Sequence, residues 1–247
     1  MSRFFQLKVK QIHRETPDAV SIELEIPENN KREFQYKQGQ YLTFKFNFNG
    51  NEIRRSYSLC SAPSFDTYLK VAVKEVNNGL ASGFLNNQLK NGDVLESMPP
   101  MGNFFSELNP ANTYNYVGIA AGSGITPILS LIKETLTIEK NSTFTLIYAN
   151  KNSGSVIFKN ELDSLVHKFN PRLKIIHLFS RENSAENRYS GRPVKEKLAE
   201  IMSEENLFSA NHYFICGPEE MIMGANALLQ EKNNHKENIH FELFTTP

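Results

Sequence analysis

The sequence predicts two domains of different class, an antiparallel β domain over residues 1–109 and an α/β domain over residues 110–247. Up to about Pro99, apolar and polar residues alternate with a period of two, which is typical of half-buried strands. Later segments instead repeat the order of apolar strand, turn and amphipathic helix. A polar link, NFFSELNPANT, separates the two patterns, and 247 residues are enough for two hydrophobic cores.

The first domain is expected to contain six short strands and one helix, the helix at residues 80–89. Closing such a sheet removes its exposed edges, so a small barrel or a sandwich is predicted. In chain order the strand segments read FFQLKVKQI, AVSIELEI, YLTFKFNF, EIRRSYSL, YLKVAVKEV and the strand within NGDVLESMPP.

The second domain is expected to contain a five-stranded parallel sheet with helices packed against it. Strands that alternate with helices form parallel sheets, and such sheets bind ligands at the carboxyl ends of their strands. The predicted strands read YNYVGIAAG, TFTLIYAN, LKIIHLFS, HYFICG and IHFELF.

Composition excludes several classes of function. Lysine plus arginine and aspartate plus glutamate each total 27, so no net charge favours nucleic acid or an anionic membrane. The two cysteines, Cys60 and Cys216, are too few for a disulfide scaffold or a metal site built by this chain alone, and no metal is expected. We find no signal peptide and no membrane-spanning run, so a cytoplasmic protein is predicted.

The segment GIAAGSGITP ends a predicted buried strand in glycines and then opens a helix at Ile125. Glycines at Gly122 and Gly124 let the backbone approach a phosphate, and the positive end of the helix attracts an anion. The alternative is a tight turn that binds nothing. Pro127 stands where the dinucleotide fingerprint G-x-G-x-x-G would have its third glycine, so that fingerprint is absent.

Two further strand ends fall at the same edge of the predicted sheet. Cys216 ends the strand in FICGPEEM, and it is either a residue of the ligand site or a small buried apolar side chain. The third strand ends in Ser180 and Arg181, which suit an added 2′-phosphate on an adenosine ribose better than an acidic residue would. Alternatively, Arg181 is solvated or pairs with Glu182.

The β domain carries two segments that suit a nucleotide. On the strand EIRRSYSL, Arg55 and Tyr57 share one face, where a guanidinium can bind phosphate oxygens and a phenol ring can cover an aromatic ligand. The alternative is a charged stripe that faces solvent. The segment NNGLASG places Gly79 before a helix start at residues 81–83, which is a second candidate anion site.

Taken together, these segments resemble the ferredoxin–NADP⁺ reductase superfamily of flavoprotein reductases over the whole chain. Five short motifs stand in the order of that family and at its approximate spacing. They are R-x-Y-S at Arg55 to Ser58, G-x-x-S at Gly79 to Ser82, P-x-G-x-F at Pro100 to Phe104, G-[ST]-G-I-T-P at Gly122 to Pro127, and C-G-P at Cys216 to Pro218.

The resemblance implies a Greek-key barrel that binds FAD, with FMN as the less favoured choice, and an α/β domain that binds NADPH in preference to NADH. It implies that Ser58, Cys216 and Glu242 act at the reacting flavin and nicotinamide rings. Arg55 and Ser82 would bind the flavin pyrophosphate, Tyr57 would pack on the flavin, and Gly122, Gly124 and Thr126 would bind the NADPH pyrophosphate. The remaining cofactor-binding residues implied by the family are Val73, Lys74, Gly79, Ala81, Ser180, Arg181, Gly217, Pro218 and Phe244.

Within the superfamily, the chain is most similar to reductase components of multicomponent oxygenases, notably that of phenylacetyl-CoA epoxidase, and to the reductase module of flavohaemoglobins. The implied reaction is hydride transfer from NADPH to FAD, then single-electron transfer to an iron–sulfur protein or an oxygenase component. The [2Fe–2S] motif C-x₄-C-x₂-C is absent, so either such a domain was removed beyond Pro247 or the carrier is separate. Alternatives are an electron-transfer subunit reduced by a partner enzyme and a non-catalytic nucleotide-binding module.

Overall fold

The computed structural model describes residues 3–182, 188–232 and 234–244. The first domain is a six-stranded antiparallel sheet in the order β4-β3-β6-β1-β2-β5. A bridge between Leu59 and Val71 joins its two outer strands and closes the barrel. The strands are β1 (Phe5–Thr16), β2 (Ala19–Glu25), β3 (Tyr41–Phe48), β4 (Asn51–Ser58), β5 (Leu69–Lys74) and β6 (Val94–Ser97), and helix α1 (Leu80–Asn87) precedes β6.

The second domain is a parallel sheet of six strands, in the order β10-β9-β8-β7-β11-β12. Its strands are β7 (Asn115–Ala121), β8 (Thr143–Asn150), β9 (Leu173–Phe179), β10 (Tyr189–Ser190), β11 (His212–Gly217) and β12 (Ile239–Leu243). The helices are α2 (Ile125–Ile138), α3 (Lys159–Phe169), α4 (Lys195–Glu204) and α5 (Glu219–Glu231). The antiparallel and parallel classes predicted from the sequence are confirmed.

The predicted strand count of five is one too low for the second sheet. The additional strand, Tyr189–Ser190, has two residues and pairs with the end of β9. A run of two residues has no periodicity to recognise, so it escaped the sequence pattern.

Three apolar clusters make up the core. One fills the barrel, and a second packs β11 and neighbouring strands against α4 and α5. The third lies on the other face of the parallel sheet, under α2 and α3, and it includes the barrel residues Cys60, Ala72 and Phe104. The two sheets are therefore joined by continuous packing. No helix in the described part of the chain has the length and apolar character needed to span a membrane.

Candidate cofactor site between the two sheets

A cavity of about 500 Å³ opens at the carboxyl ends of the parallel strands. Most of its lining comes from the turns that follow β7, β8, β9 and β11, which is where such sheets bind ligands. The barrel contributes Lys74, and Phe244 lines the cavity after the last strand. Of the predicted residues, the lining contains Lys74, Gly122, Ser180, Gly217, Pro218 and Phe244.

The turn after β7 gives this cavity its backbone surface. Gly122 has φ +54°, and a Cβ built there would meet no atom within 4 Å, so the backbone is open to a close ligand. The 14-residue helix α2 begins directly after this turn, and its positive end suits a phosphate. Thr126 does not line the cavity: its hydroxyl is buried and donates to Ser123 O at 3.0 Å.

The turns after β7 and β11 touch each other at Gly124. A Cβ at Gly124 would lie 2.1 Å from Cys216 O and 2.9 Å from Gly217 N. Both neighbours are backbone atoms, so neither can move aside without displacing its turn. Gly124 therefore joins the two turns, and its role in the structure is this contact.

Replacing Gly124 by alanine is expected to separate the two turns and to cost about 1–3 kcal/mol of unfolding free energy. The dissociation constant for NADP⁺ should rise with it, because both turns line the cavity. Thermal unfolding and equilibrium titration measure the two effects. Gly224→Ala, within α5, is the matched control, since a Cβ there has its closest contact at 3.5 Å, to Lys195 Cβ of α4, and it should leave binding unchanged. If Gly124→Ala were as stable as wild type, this would contradict the close contact between the two turns.

Ser58, Cys216 and Glu242 come together although they are far apart in the sequence. The Ser58 hydroxyl donates to Glu242 Oε2 at 3.1 Å, across the boundary between the barrel and the parallel sheet. Cys216 and Glu242 are register partners on β11 and β12. Burial raises the pKa of Glu242 to about 7, against the lowering effect of the Ser58 hydrogen bond. This carboxyl therefore changes charge near neutral pH.

Cys216 is fully buried. Burial, and to a lesser degree the Glu242 carboxylate, raises the pKa of its thiol well above the ordinary value. The thiol is consequently protonated at neutral pH, and it can contact a ligand only as a neutral group.

Arg55 and Tyr57 lie half-buried on β4, beside this group. The Tyr57 ring packs against Phe44 with centroids 6.0 Å apart, and burial raises the pKa of its phenol to about 12. Arg55 donates to the neighbouring Arg54 O at 2.7 Å. No carboxylate pairs with Arg55 among the described residues, which leaves the guanidinium able to bind an anion.

The G-x-x-S turn holds the Ser82 side chain in hydrogen bonds of its own. Its hydroxyl is buried, donates to Gly79 O at 3.2 Å and accepts the Val76 N–H at 3.1 Å. A Cβ at Gly79 would lie 2.5 Å from that hydroxyl. Ser82 thus stabilises the turn that begins α1. Ala81 and Val73 are core residues of the barrel, and Val73 O accepts the Asn86 amide.

The two residues predicted at the end of β9, Ser180 and Arg181, do not share one environment. Ser180 lines the cavity, whereas the exposed Arg181 is outside the lining and its backbone N–H donates to Lys151 O at 2.8 Å. Glu182 does not pair with Arg181; it accepts hydrogen bonds from the Ser153 backbone N–H and hydroxyl, at 2.7 and 3.0 Å.

Sequence reasoning did not assign several polar residues of the cavity lining, among them Asn150, Lys151, Ser155, Arg192 and Glu220. The signal for Asn150 and Lys151 was present, because Asn150 ends the strand TFTLIYAN and Lys151 follows it, at the edge where the other candidates lie. Asn150 Nδ2 is buried without a hydrogen-bond partner, which fits a polar ligand in this cavity. Arg192 follows the two-residue strand β10, and no pattern marked it.

The residues present fit two cofactors of the predicted kind. An open glycine turn at a helix start, an unpartnered buried amide and a lysine and arginine in one cavity suit a phosphate-bearing dinucleotide. The half-buried Arg55 and Tyr57 suit a second, aromatic nucleotide on the barrel. The described residues contain no group of three or more His, Cys, Asp or Glu side chains that could bind a metal.

Comparison with known proteins agrees with this assignment. The model of the oxidoreductase FAD-binding domain matches residues 6–105, and that of the oxidoreductase NAD-binding domain matches residues 119–227. The chain therefore carries an FAD-binding and an NAD-binding oxidoreductase domain, which defines a flavoprotein reductase.

Two relatives show the kinds of protein to which this chain is similar. A 1,2-phenylacetyl-CoA epoxidase subunit from Escherichia coli is 37% identical over 100% of this chain and 69% of its own length. The ferredoxin reductase component of 3-ketosteroid-9-alpha-monooxygenase from Rhodococcus rhodochrous is 31% identical over 99% of this chain and 66% of its own length. The chain belongs to the ferredoxin–NADP⁺ reductase superfamily of FAD- and NAD-binding oxidoreductases, and it spans about two thirds of the length of these relatives.

Solved structures share the fold at lower identity. A ferredoxin–NADP⁺ reductase from Neisseria gonorrhoeae with bound FAD and NADP has a TM-score of 0.81 at 21% identity, with 99% and 100% of the two chains covered. The FAD/NAD-binding domain of nitric oxide dioxygenase from Vibrio cholerae also has a TM-score of 0.81, at 24% identity. The match covers 97% of this chain and 98% of that domain's chain.

Proposed function

We propose that this protein transfers hydride from NADPH to bound FAD and then passes single electrons to an iron–sulfur protein or an oxygenase component. The observation that carries the proposal is the group of Ser58, Cys216 and Glu242, which joins the FAD-binding barrel to the NAD-binding sheet where Gly217, next to Cys216, lines the cavity. Bound FAD supplies the redox chemistry, since it accepts a hydride and can give up electrons one at a time.

The chain's own residues hold and align the two cofactors. Arg55 binds the flavin pyrophosphate and Tyr57 packs on the flavin, while Ser82 acts indirectly through the turn at Gly79. On the other domain, the backbone at Gly122 and the start of α2 bind the NADPH pyrophosphate, with Gly217 and Pro218 of the adjoining turn also in the cavity lining. The domain boundary at residues 109 and 110 and the cytoplasmic location stay predictions.

Glu242 and Cys216 lie where the nicotinamide would meet the flavin. A carboxylate at Glu242 would stabilise the positive charge of an oxidised nicotinamide. The neutral Cys216 thiol contributes position and shape instead. Ser58 keeps the Glu242 carboxyl oriented through its hydrogen bond.

The acceptor is proposed from the relatives, whose names describe an epoxidase component and a monooxygenase reductase component. A test that needs no natural partner is steady-state turnover with ferricyanide, a one-electron acceptor. Each NADPH oxidised should reduce two ferricyanide ions and release one proton. Failure to reduce ferricyanide while the bound FAD is reduced by NADPH would remove the single-electron step.

Preference for NADPH over NADH should depend on the basic side chains near the end of β9. Arg192→Ala is expected to raise the KM for NADPH about tenfold and to leave that for NADH nearly unchanged, because it removes a charge-assisted bond to the 2′-phosphate. Arg181→Ala, at the position predicted from the sequence, is compared in parallel. Equal increases in KM for both cofactors in both variants would contradict a 2′-phosphate role.

A further inference from the structure

The helix that follows the glycine turn has a polar face that contacts the barrel. We call Ser130, Lys133 and Glu134 the polar face of α2; all three are buried. Ser130 Oγ donates to Ser61 O at 2.5 Å, and Lys133 Nζ donates to Cys60 O at 3.2 Å. The Glu134 carboxylate accepts the Ser64 backbone N–H and hydroxyl, each at 2.8 Å.

Lys133 is the centre of this contact. Its ammonium is 0% exposed and pairs with Asp66 Oδ2 of the barrel at 3.1 Å and with Glu161 of α3. A buried charge of this kind requires such partners, because an unpaired ammonium would be strongly disfavoured. Glu161 in turn lies 4.0 Å from Lys70 Nζ on β5. The ion pairs therefore link α2, α3 and the barrel.

Both ends of this contact continue directly into the proposed cofactor residues. The contacted loop, residues 60–66, follows strand β4, which carries Arg55, Tyr57 and Ser58. On the other side, α2 begins at Ile125, immediately after the glycine turn. The polar face of α2 thus connects the strand proposed to bind flavin with the turn proposed to bind NADPH.

Stability alone is a weak explanation for these buried charges. Apolar residues of similar volume stabilise a core as well as a buried ion pair does, and often better. Hydrogen bonds and ion pairs differ from apolar contacts in fixing direction and distance between the groups that they join. Such precision matters here, because a displacement of about 1 Å between reacting groups can slow a reaction about a hundredfold.

We propose that Lys133 is a positioning residue, which sets the distance between the flavin strand and the dinucleotide turn through its bonds to Cys60 O and Asp66. This inference rests on the proposed function. Lys133→Met should slow FAD reduction at saturating NADPH at least tenfold in anaerobic stopped flow. The NADPH dissociation constant obtained from the same stopped-flow data should stay within twofold of wild type. The FAD content of the purified variant should also stay within twofold.

A second measurement is independent of catalysis. Cys60 is fully buried at this contact, so its labelling by a thiol reagent, followed by peptide mass spectrometry, reports opening between α2 and the loop. Labelling of Cys60 should be at least tenfold faster in Lys133→Met, measured well below its unfolding temperature. Unchanged labelling, or an unchanged rate of FAD reduction, would overturn the proposal. Absence of FAD reduction in wild type would instead refute the proposed function.

Two further variants separate positioning from stability. Glu139, also fully buried, accepts bonds from Tyr116, Ser142 and Asn112 and has no contact with loop 60–66 among the described residues. Glu139→Gln should lower the unfolding temperature without slowing hydride transfer. Ser130→Ala removes the bond to Ser61 O and the longer one from the Gly39 N–H, at 3.4 Å, and leaves no buried charge, so it should fold and slow FAD reduction about threefold. Equal slowing in Glu139→Gln and Lys133→Met, or a wild-type rate in Ser130→Ala, would contradict positioning.

Discussion

Glu242→Ala is expected to slow the reduction of bound FAD by NADPH about a hundredfold, the scale seen when a preorganised charge is removed from a reacting centre. The carboxylate stabilises positive charge that develops only as the hydride leaves, so the transition state loses more than the ground state. Stopped-flow absorbance measures the rate, and NADP⁺ titration should give nearly unchanged affinity. Cys216→Ala should slow the same step less, because its thiol is neutral.

The pH dependence provides a check on this role. Because the Glu242 pKa is about 7, the wild-type rate should rise between pH 6 and 8 as the carboxyl ionises, and Glu242→Gln should remain slow and flat. Unchanged rates in both alanine variants would remove Glu242 and Cys216 from the reacting centre.

The free energy of unfolding should fall over the pH range in which the rate of FAD reduction rises. The folded protein holds the proton on the Glu242 carboxyl more tightly than the unfolded chain does. The contribution of this proton to the free energy of unfolding is therefore present below about pH 4.5 and is lost as pH rises through about 7. Glu242→Gln should therefore be more stable than wild type at pH 8, by on the order of 1–3 kcal/mol, and equally stable at pH 4. Chemical unfolding at both pH values measures the difference.

Arg55→Ala is expected to weaken FAD binding by about tenfold to a hundredfold, because a charge-assisted hydrogen bond to a pyrophosphate contributes roughly 1.5–3 kcal/mol. The flavin should dissociate on dilution, and the return of its free fluorescence measures the loss. Arg54→Ala is the matched control, since Arg54 pairs with Glu52 at 2.8 Å on the same strand. Wild-type retention of FAD in Arg55→Ala would show that Arg55 is not a pyrophosphate ligand.

The sequence pattern was sufficient for the barrel and the parallel sheet, because period-two alternation and strand–helix repeats extend over whole elements. It also marked the turn at Gly122 and the strand ends at Cys216 and Ser180. The two-residue strand β10 and Arg192 could not be found in this way, since both depend on how the chain returns to the end of β9.

Side-chain partners were the least predictable part of the site. Ser82 occurs in a recognisable motif, yet its hydroxyl is used within its own turn. The Ser58–Glu242 hydrogen bond joins residues that are 184 positions apart, and the ion pair of Lys133 with Asp66 spans 67. Such contacts depend on how the two sheets pack, which no local pattern encodes.

Anaerobic titration of the purified flavoprotein with NADPH, followed by visible absorbance, tests whether the bound FAD takes hydride from NADPH. We expect the oxidised-flavin absorbance to bleach in proportion to added NADPH, with one equivalent of NADPH per FAD, and NADH to reduce the flavin less effectively. A protein that binds FAD but is not bleached by either nucleotide would contradict the claim that this chain takes hydride from a nicotinamide cofactor.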